Sequence, residues 1–300
     1  MSEAVLSQAP ARADWWAWLK PAETRWLAII LGTLVLVLCQ WRYGILGTYL
    51  VLPVAIGSCM VMETVLSLVA RHRMPSLQSA YMSGISMSLL LRPQAGLLWP
   101  FVACAVLTIA SKYALTYRGR HLWCPTDLSI SLLLLVAPAS VAVLSHQWGN
   151  DLPTNLVIWS FGIYVAWRSK IFHITLTYVA AFLAFAVLRS LLLGLPVLPE
   201  IAPVTGPMYQ LFVFFMITDP KTNVSTRRGR ILVAVLVALM EALIRVAADA
   251  GVPMLPAIYA APPLFALATV GPVAKWIDLY RKRGRPEPTN LTGWGVARAA

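Results

Sequence analysis

Residues 171–193 read IFHITLTYVAAFLAFAVLRSLLL, an apolar run interrupted by a single formal charge at Arg189, and they follow directly on Arg168-Ser169-Lys170. A hydrocarbon core about 30 Å thick takes about 20 such residues as a helix. Basic residues at one end mark the cytoplasmic edge of a span. The same unit recurs in both directions along the chain. Apolar segments separate at 25–41, 45–70, 76–92, 95–115, 127–145, 154–168, 171–193, 206–219, 230–248 and 257–278. None alternates like a barrel strand, and an open sheet would leave backbone groups unpaired in lipid, so helices are the expected form. Composition agrees: 59% of the 300 residues are hydrophobic and 12% are charged, about half the charged fraction of a soluble domain. A soluble nucleotide-binding enzyme, a disordered regulator and a secreted disulfide scaffold are excluded. The expected class is an all-α integral membrane protein.

The charges give the segments a direction. With the N-terminus in the cytoplasm, the cytoplasmic connections carry Arg71-His72-Arg73, Lys112 with Arg118 and Arg120, Arg168 with Lys170, and Lys221 with Arg227, Arg228 and Arg230. The tail from Arg281 to Arg285 falls on the same side, whereas Ser145–Pro153, Leu195–Pro207 and Asp249–Pro256 hold no Lys or Arg. This bias predicts ten transmembrane helices with both termini cytoplasmic. The third segment ends SMSLLLRP at Pro93 and the eighth ends FFMITDP at Pro220. Each is a short run stopped by a charged residue and proline, third of five in its half. Five spans per half place the second half upside down, the plan of two inverted five-helix repeats in which broken helices meet near the midplane. The expected organisation is an interfacial segment at 1–23 containing Trp15, Trp16 and Trp18, repeats at 24–146 and 147–280, and a basic tail at 281–300.

A net charge of +12 invites a nucleic-acid reading. The basic residues lie in loops between apolar runs, however, where positive-inside charge accounts for them. Cys39, Cys59, Cys104 and Cys124 are scattered, with no CxxC pair, and read as small buried hydrophobes. The N-terminal region lacks the apolar core and cleavage pattern of a signal peptide. His72, His121, His146 and His173 are too isolated for haem ligation or a metal centre. There is no P-loop, GxGxxG, HExxH or hydrolase triad. Charges inside the spans need partners. Glu241 and Arg245 share a helix face at i, i+4 and read as a structural pair. Glu63 lies near Arg71, and Asp219 is placed to brace Lys221 or Arg227.

Three strings then carry a family resemblance. Residues 63–75, ETVLSLVARHRMP, with SGISMSLLLRP at 83–93, resemble an "E…basic loop…TGLLLAL-LPP" segment. Residues 111–127, SKYALTYRGRHLWCPTD, are similar to a "GK-x-x-FGG-x-G-x-N-x-FNPA" loop, keeping Lys112, Gly119 and Pro125. Residues 214–230, FFMITDPKTNVSTRRGR, resemble "FFMATDP…P…(K/R)G". Gly271-Pro272 and Asp278 fit the last helix. Together they resemble the RnfD/NqrB family, which contains the D subunit of Rnf electron-transport complexes and the B subunit of sodium-pumping NADH:quinone reductases. The resemblance covers about 250 residues.

It implies a subunit of a membrane redox complex in a bacterial cytoplasmic (inner) membrane, with the lipid bilayer and other subunits as partners. The matched positions imply a cofactor-binding set of Arg92, Lys112, Gly119, Pro125, Asp127, Thr218, Asp219 and Pro220. The family attaches a flavin to a threonine of a Ser-Gly-Ala-Thr sequence, which is absent here; Thr154 is the nearest substitute. Cys124 stands where the family has Asn, and Leu115 and Thr116 where it has glycines. The chain therefore resembles a divergent branch without the covalent-flavin motif. A noncovalent flavin or a quinone remains as the cofactor class. Three functions stay open: a redox subunit positioning such a cofactor or a partner's cofactors, a non-catalytic structural or assembly subunit, and a transporter.

Overall fold

The computed structural model describes residues 22–72, 74–75, 77–143, 152–219, 221–253 and 255–282. The tryptophans at 15, 16 and 18, most of the 145–153 connection with His146, Pro220, and the tail beyond Lys282 lie outside the described residues. The described chain is mostly helical, as its apolar runs require.

The first half contains α1 (Ala22–Tyr43), α2 (Val51–Arg71), α3 (Gln78–Leu90), strand β1 (Leu91–Pro93), α4 (Trp99–Ala114), a hairpin of β2 (Thr116–Tyr117) and β3 (Arg120–His121), α5 (Pro125–Val136) and β4 (Val141–Val143). The second contains α6 (Leu152–Arg168), α7 (Phe172–Leu193), short α8 (Val197–Ile201), α9 (Pro207–Leu211) running into a π-helical turn (Phe212–Met216), α10 (Arg227–Asp249), short α11 (Pro256–Ala260) and α12 (Pro262–Arg281). Prolines start α4, α5 and α12, where their missing N–H costs nothing. α7 ends at Gly194 with φ +68°, the left-handed conformation that closes a helix most cheaply.

Three helices, over Val51–Ala70, Phe172–Leu193 and Arg227–Asp249, are long and apolar enough to cross a membrane. They turn stripes of large apolar side chains outward: Val61, Val65 and Val69 on α2, and Leu232, Leu236, Leu239 and Leu243 on α10, are all exposed. Such stripes at helical spacing suit lipid and not water. This is a membrane protein.

Among the described residues three helices are long and apolar enough to cross a membrane, where the sequence expectation is ten transmembrane helices. α3 has 13 residues and α5 has 12, which rise only about 20 Å at 1.5 Å per residue. α3 runs straight into β1, α5 reaches β4 through a turn at Ala137–Ser140, and the two strands pair as an antiparallel ribbon, Leu91 opposite Val143 and Pro93 opposite Val141. Leu91, Val141 and Val143 are buried. Irregular backbone at membrane depth survives only when other protein covers it, and pairing each strand with the other satisfies that demand.

α2 packs along both α3 and α4, with α1 beside α3 and α5 beside α4. In the second half α7 and α10 form the most extensive pair, and α12 packs on α10. The halves meet where α1 touches α6 and where α5 touches α12. Two glycines permit close approach. A Cβ on Gly84 of α3 would lie 2.7 Å from the Cα of Ile56 on α2, and one on Gly162 of α6 would lie 2.5 Å from the Phe214 ring.

Candidate functional site

Lys112 sits near the end of α4 and is 7% exposed. Its Nζ donates to Ser83 Oγ (3.0 Å), Ser79 Oγ (3.2 Å) and the Ser79 carbonyl (3.3 Å) at the start of α3. Glu63 Oε2 on α2 lies 3.9 Å away, and the other oxygen of Glu63 accepts from Tyr113 Oη at 2.8 Å. A buried ammonium thus satisfies its three donors and ties α2, α3 and α4 together.

Asp219 follows the π-helical turn, in which Ile217 N–H bonds to the Phe212 carbonyl at 3.0 Å. Such turns frequently occur at functional sites. The hydroxyl of Thr218 is tied back to the Phe214 carbonyl at 2.6 Å. The carboxylate of Asp219 accepts the Lys221 backbone N–H at 3.0 Å and the Thr222 hydroxyl at 3.3 Å. Asp219 therefore braces Lys221 through its backbone and shapes a tight turn. Asn223 completes that turn, its Nδ2 donating to the Ile217 carbonyl at 2.9 Å. From α12, Lys275 Nζ donates to the Asn223 carbonyl (2.5 Å) and Asp278 accepts from Ser225.

The N-terminus of α5 closes the junction. Gly119 (φ +73°) and Arg118 (φ +54°) make the β2–β3 turn, so Gly119 serves backbone conformation. Pro125 begins α5, and Asp127 in its first turn is 1% exposed with neither carboxylate oxygen hydrogen-bonded. One turn on, the buried hydroxyl of Ser131 is also without a partner. Packing around the Cys124 thiol pushes its pKa well up, and the nearby charges of Asp219 and Asp127 add to this, so Cys124 is a protonated packing residue. Leu122, Cys124, Ile217, Asn223 and Pro272 line a small cavity here.

Pro272 lies inside α12 and deprives the Ala268 carbonyl of its helical donor. The Trp123 indole supplies the replacement, Nε1 donating to Ala268 O at 2.9 Å across the two halves. Trp123→Phe is expected to cost about 1 kcal/mol, the net worth of a typical hydrogen bond at this half-buried carbonyl. A thermal melt in detergent that leaves the midpoint unchanged would discard this account.

The structure brings Asp219, next to Thr218, within electrostatic reach of Lys112, while Asp127 lies beside Cys124 in the first turn of α5. Asp219 acts electrostatically on Lys112, Cys124 and Lys275. Arg92 does not join them. It lies on β1, beyond the 13 residues of α3 that begin beside Lys112, about 20 Å along the helix axis. The expected meeting of the two proline breaks in one junction is corrected accordingly: α3 carries its break away from Lys112. Thr154 falls in the first turn of α6. Sequence reasoning missed Trp123, Asn223 and Lys275. Lys275 had a legible signal, a charge inside the last apolar run; Trp123 and Asn223 had none.

A second polar cluster lies in the other half. Glu241 is 0% exposed. It accepts from Tyr178 Oη (2.5 Å), Tyr209 Oη, and Arg245 Nε (3.1 Å) and Nη2 (3.0 Å). The expected Glu241–Arg245 pair is present, joined by two tyrosines that the sequence did not indicate. No protein-family model matches the chain, and no curated protein matches it in sequence.

Proposed function

We propose that this chain is the membrane subunit of a redox complex of the RnfD/NqrB kind, holding a noncovalent flavin or a quinone at the Lys112–Asp127–Asp219 junction. The observation that carries the reading is Asp127. A buried carboxylate with two unfilled acceptor oxygens is costly unless a donor reaches it. The imide N–H of a flavin or the hydroxyl of a reduced quinone is such a donor, and the Ser131 hydroxyl one turn away offers a second contact. Such a group, when bound, carries the electrons. The protein's part is placement in a low-dielectric frame: Lys112 and Lys275 supply positive charge, and the braced Asp219 turn fixes the approach.

The reading includes a plan of ten membrane segments in two inverted halves, counting α3 with β1, α5 with β4 and α9 with its π turn as broken members. Contacts between halves support it, because they join first to first (α1 with α6) and fifth to fifth (α5 with α12), as a two-fold axis would. Glycines support it too: Gly32 of α1 meets Ile85 of α3, and Gly162 of α6 meets Phe214 of the π turn. In each half a buried glutamate binds a cation and tyrosine hydroxyl, Glu63 with Lys112 and Tyr113, Glu241 with Arg245 and Tyr209.

The test is purification from the native membrane in mild detergent. A flavin absorbance or an extractable quinone is expected, with redox subunits co-purifying, and Asp127→Asn is expected to lose the cofactor. Asp127→Asn is nearly isosteric, so its membrane abundance should hold, which separates loss of the cofactor from loss of the fold. A colourless protein that still co-purifies with a redox complex favours the second reading, a structural subunit. The bonding of Glu241 with Arg245, Tyr178 and Tyr209, which needs no ligand, is what favours that alternative.

A further inference from the structure

Glu241 lies 8 residues before the end of α10 at Asp249, a depth of about 12 Å, at the end of the bundle opposite the basic loops. Between the cluster and that end, Phe182, Ala186 and Arg189 of α7 face Ala238, Ala242 and Arg245 of α10 across a small cavity, with Glu200 of α8 at its mouth. The facing alanines are what hold the seam open. Arg189 is 7% exposed, and its Nε makes no hydrogen bond, standing 3.5 Å from Asp249 Oδ2. The cavity walls are mostly the apolar groups of Phe182, Phe185 and the alanines, but Arg189 Nε and Glu200 Oε2 both lack hydrogen bonds there, and the room is close to the least that holds one water. Its cover is slight. α8 has five residues, none of them buried, and reaches inward through the ion pair of Glu200 with Arg189.

We propose that this seam is a water entry site: water occupies the space between Arg189, Glu200 and Arg245, reaches the Glu241 cluster from the Asp249 end of α10, and is admitted by displacement of α8. This inference is independent of the cofactor reading. The ligand is water itself, and Arg189 with Arg245 supplies the donors that order it.

Hydroxyl-radical footprinting by X-ray radiolysis of the full chain in lipid nanodiscs reads bound water directly. Phe182, which is 4% exposed and lines the cavity, is the reporter; Phe212, at 0%, packs on the other side of Tyr178 and is the control. Phe182 is expected to oxidise several-fold faster than Phe212. Ala242→Leu should fill the cavity and bring Phe182 down to the rate of Phe212, while Glu200→Ala should raise it several-fold. If Ala242→Leu does not yield monodisperse protein, Ala238→Val narrows the same space and must give the same fall. Equal rates at Phe182 and Phe212 in both wild type and Glu200→Ala overturn the proposal. So does a Phe182 rate indifferent to filling the cavity.

Discussion

Glu241→Ala is expected to lower stability by about 3–5 kcal/mol, the cost of breaking a buried ion pair by removing one partner. The change leaves the Arg245 guanidinium and the hydroxyls of Tyr178 and Tyr209 without their shared acceptor at a site where Glu241 itself has no solvent exposure. Arg245 also lies over the rings of Phe182 and Tyr209, at 5.9 and 5.8 Å. Those contacts offset part of the loss, but an aromatic face replaces little of a carboxylate. The readout is thermal stability by size-exclusion in detergent, together with membrane abundance. Combining Glu241→Leu with Arg245→Met should recover most of the loss, because an apolar replacement of the whole pair leaves no stranded charge. A wild-type melting point for Glu241→Ala alone would mean that the cluster does not hold α7, α9 and α10 together.

Gly84→Ala should destabilise even though alanine is the better helix former. On an exposed helix the substitution gains about 1 kcal/mol. Here the added Cβ would sit 2.7 Å from the Ile56 Cα, a backbone atom that cannot rotate away. Forcing α2 and α3 apart costs about 1–3 kcal/mol and loosens the start of α3, whose Ser79 and Ser83 hold Lys112. The matched control is Gly57 on α2, where nothing lies within 4 Å of an added Cβ. There the helix propensity acts alone, and Gly57→Ala should stabilise by about 1 kcal/mol. Opposite signs at the two glycines are the expected result of parallel melts. The same sign at both would remove the close α2–α3 contact from consideration.

Much of the candidate site was legible as residues and little of it as geometry. Lys112, Asp127, Thr218 and Asp219 are implied by the matched motifs, and their holding a cofactor is the proposal made above. Arg92 is implied in the same way and lies elsewhere, because a residue's place in a motif does not say which way its helix carries it. Trp123 was unreadable. It matters only because Pro272, far along the chain, frees a carbonyl that the fold brings beside the indole. The unpartnered state of Asp127 is likewise a property of the packed surroundings.

By itself the sequence determined the solvent: apolar runs with basic flanks commit these segments to helices in lipid, since unpaired backbone has no place there. It also determined which polar residues needed an explanation, because a charge within a span always requires one. Only the tertiary structure decided that α3 and α5 stop short and pair through β1 and β4, that Tyr178 and Tyr209 complete the Glu241 cluster, and that Asp127 is left without a donor. Hydropathy is summed along the chain. Hydrogen-bond partners are chosen across it, between segments whose approach is set by where a glycine, a proline or an alanine leaves room.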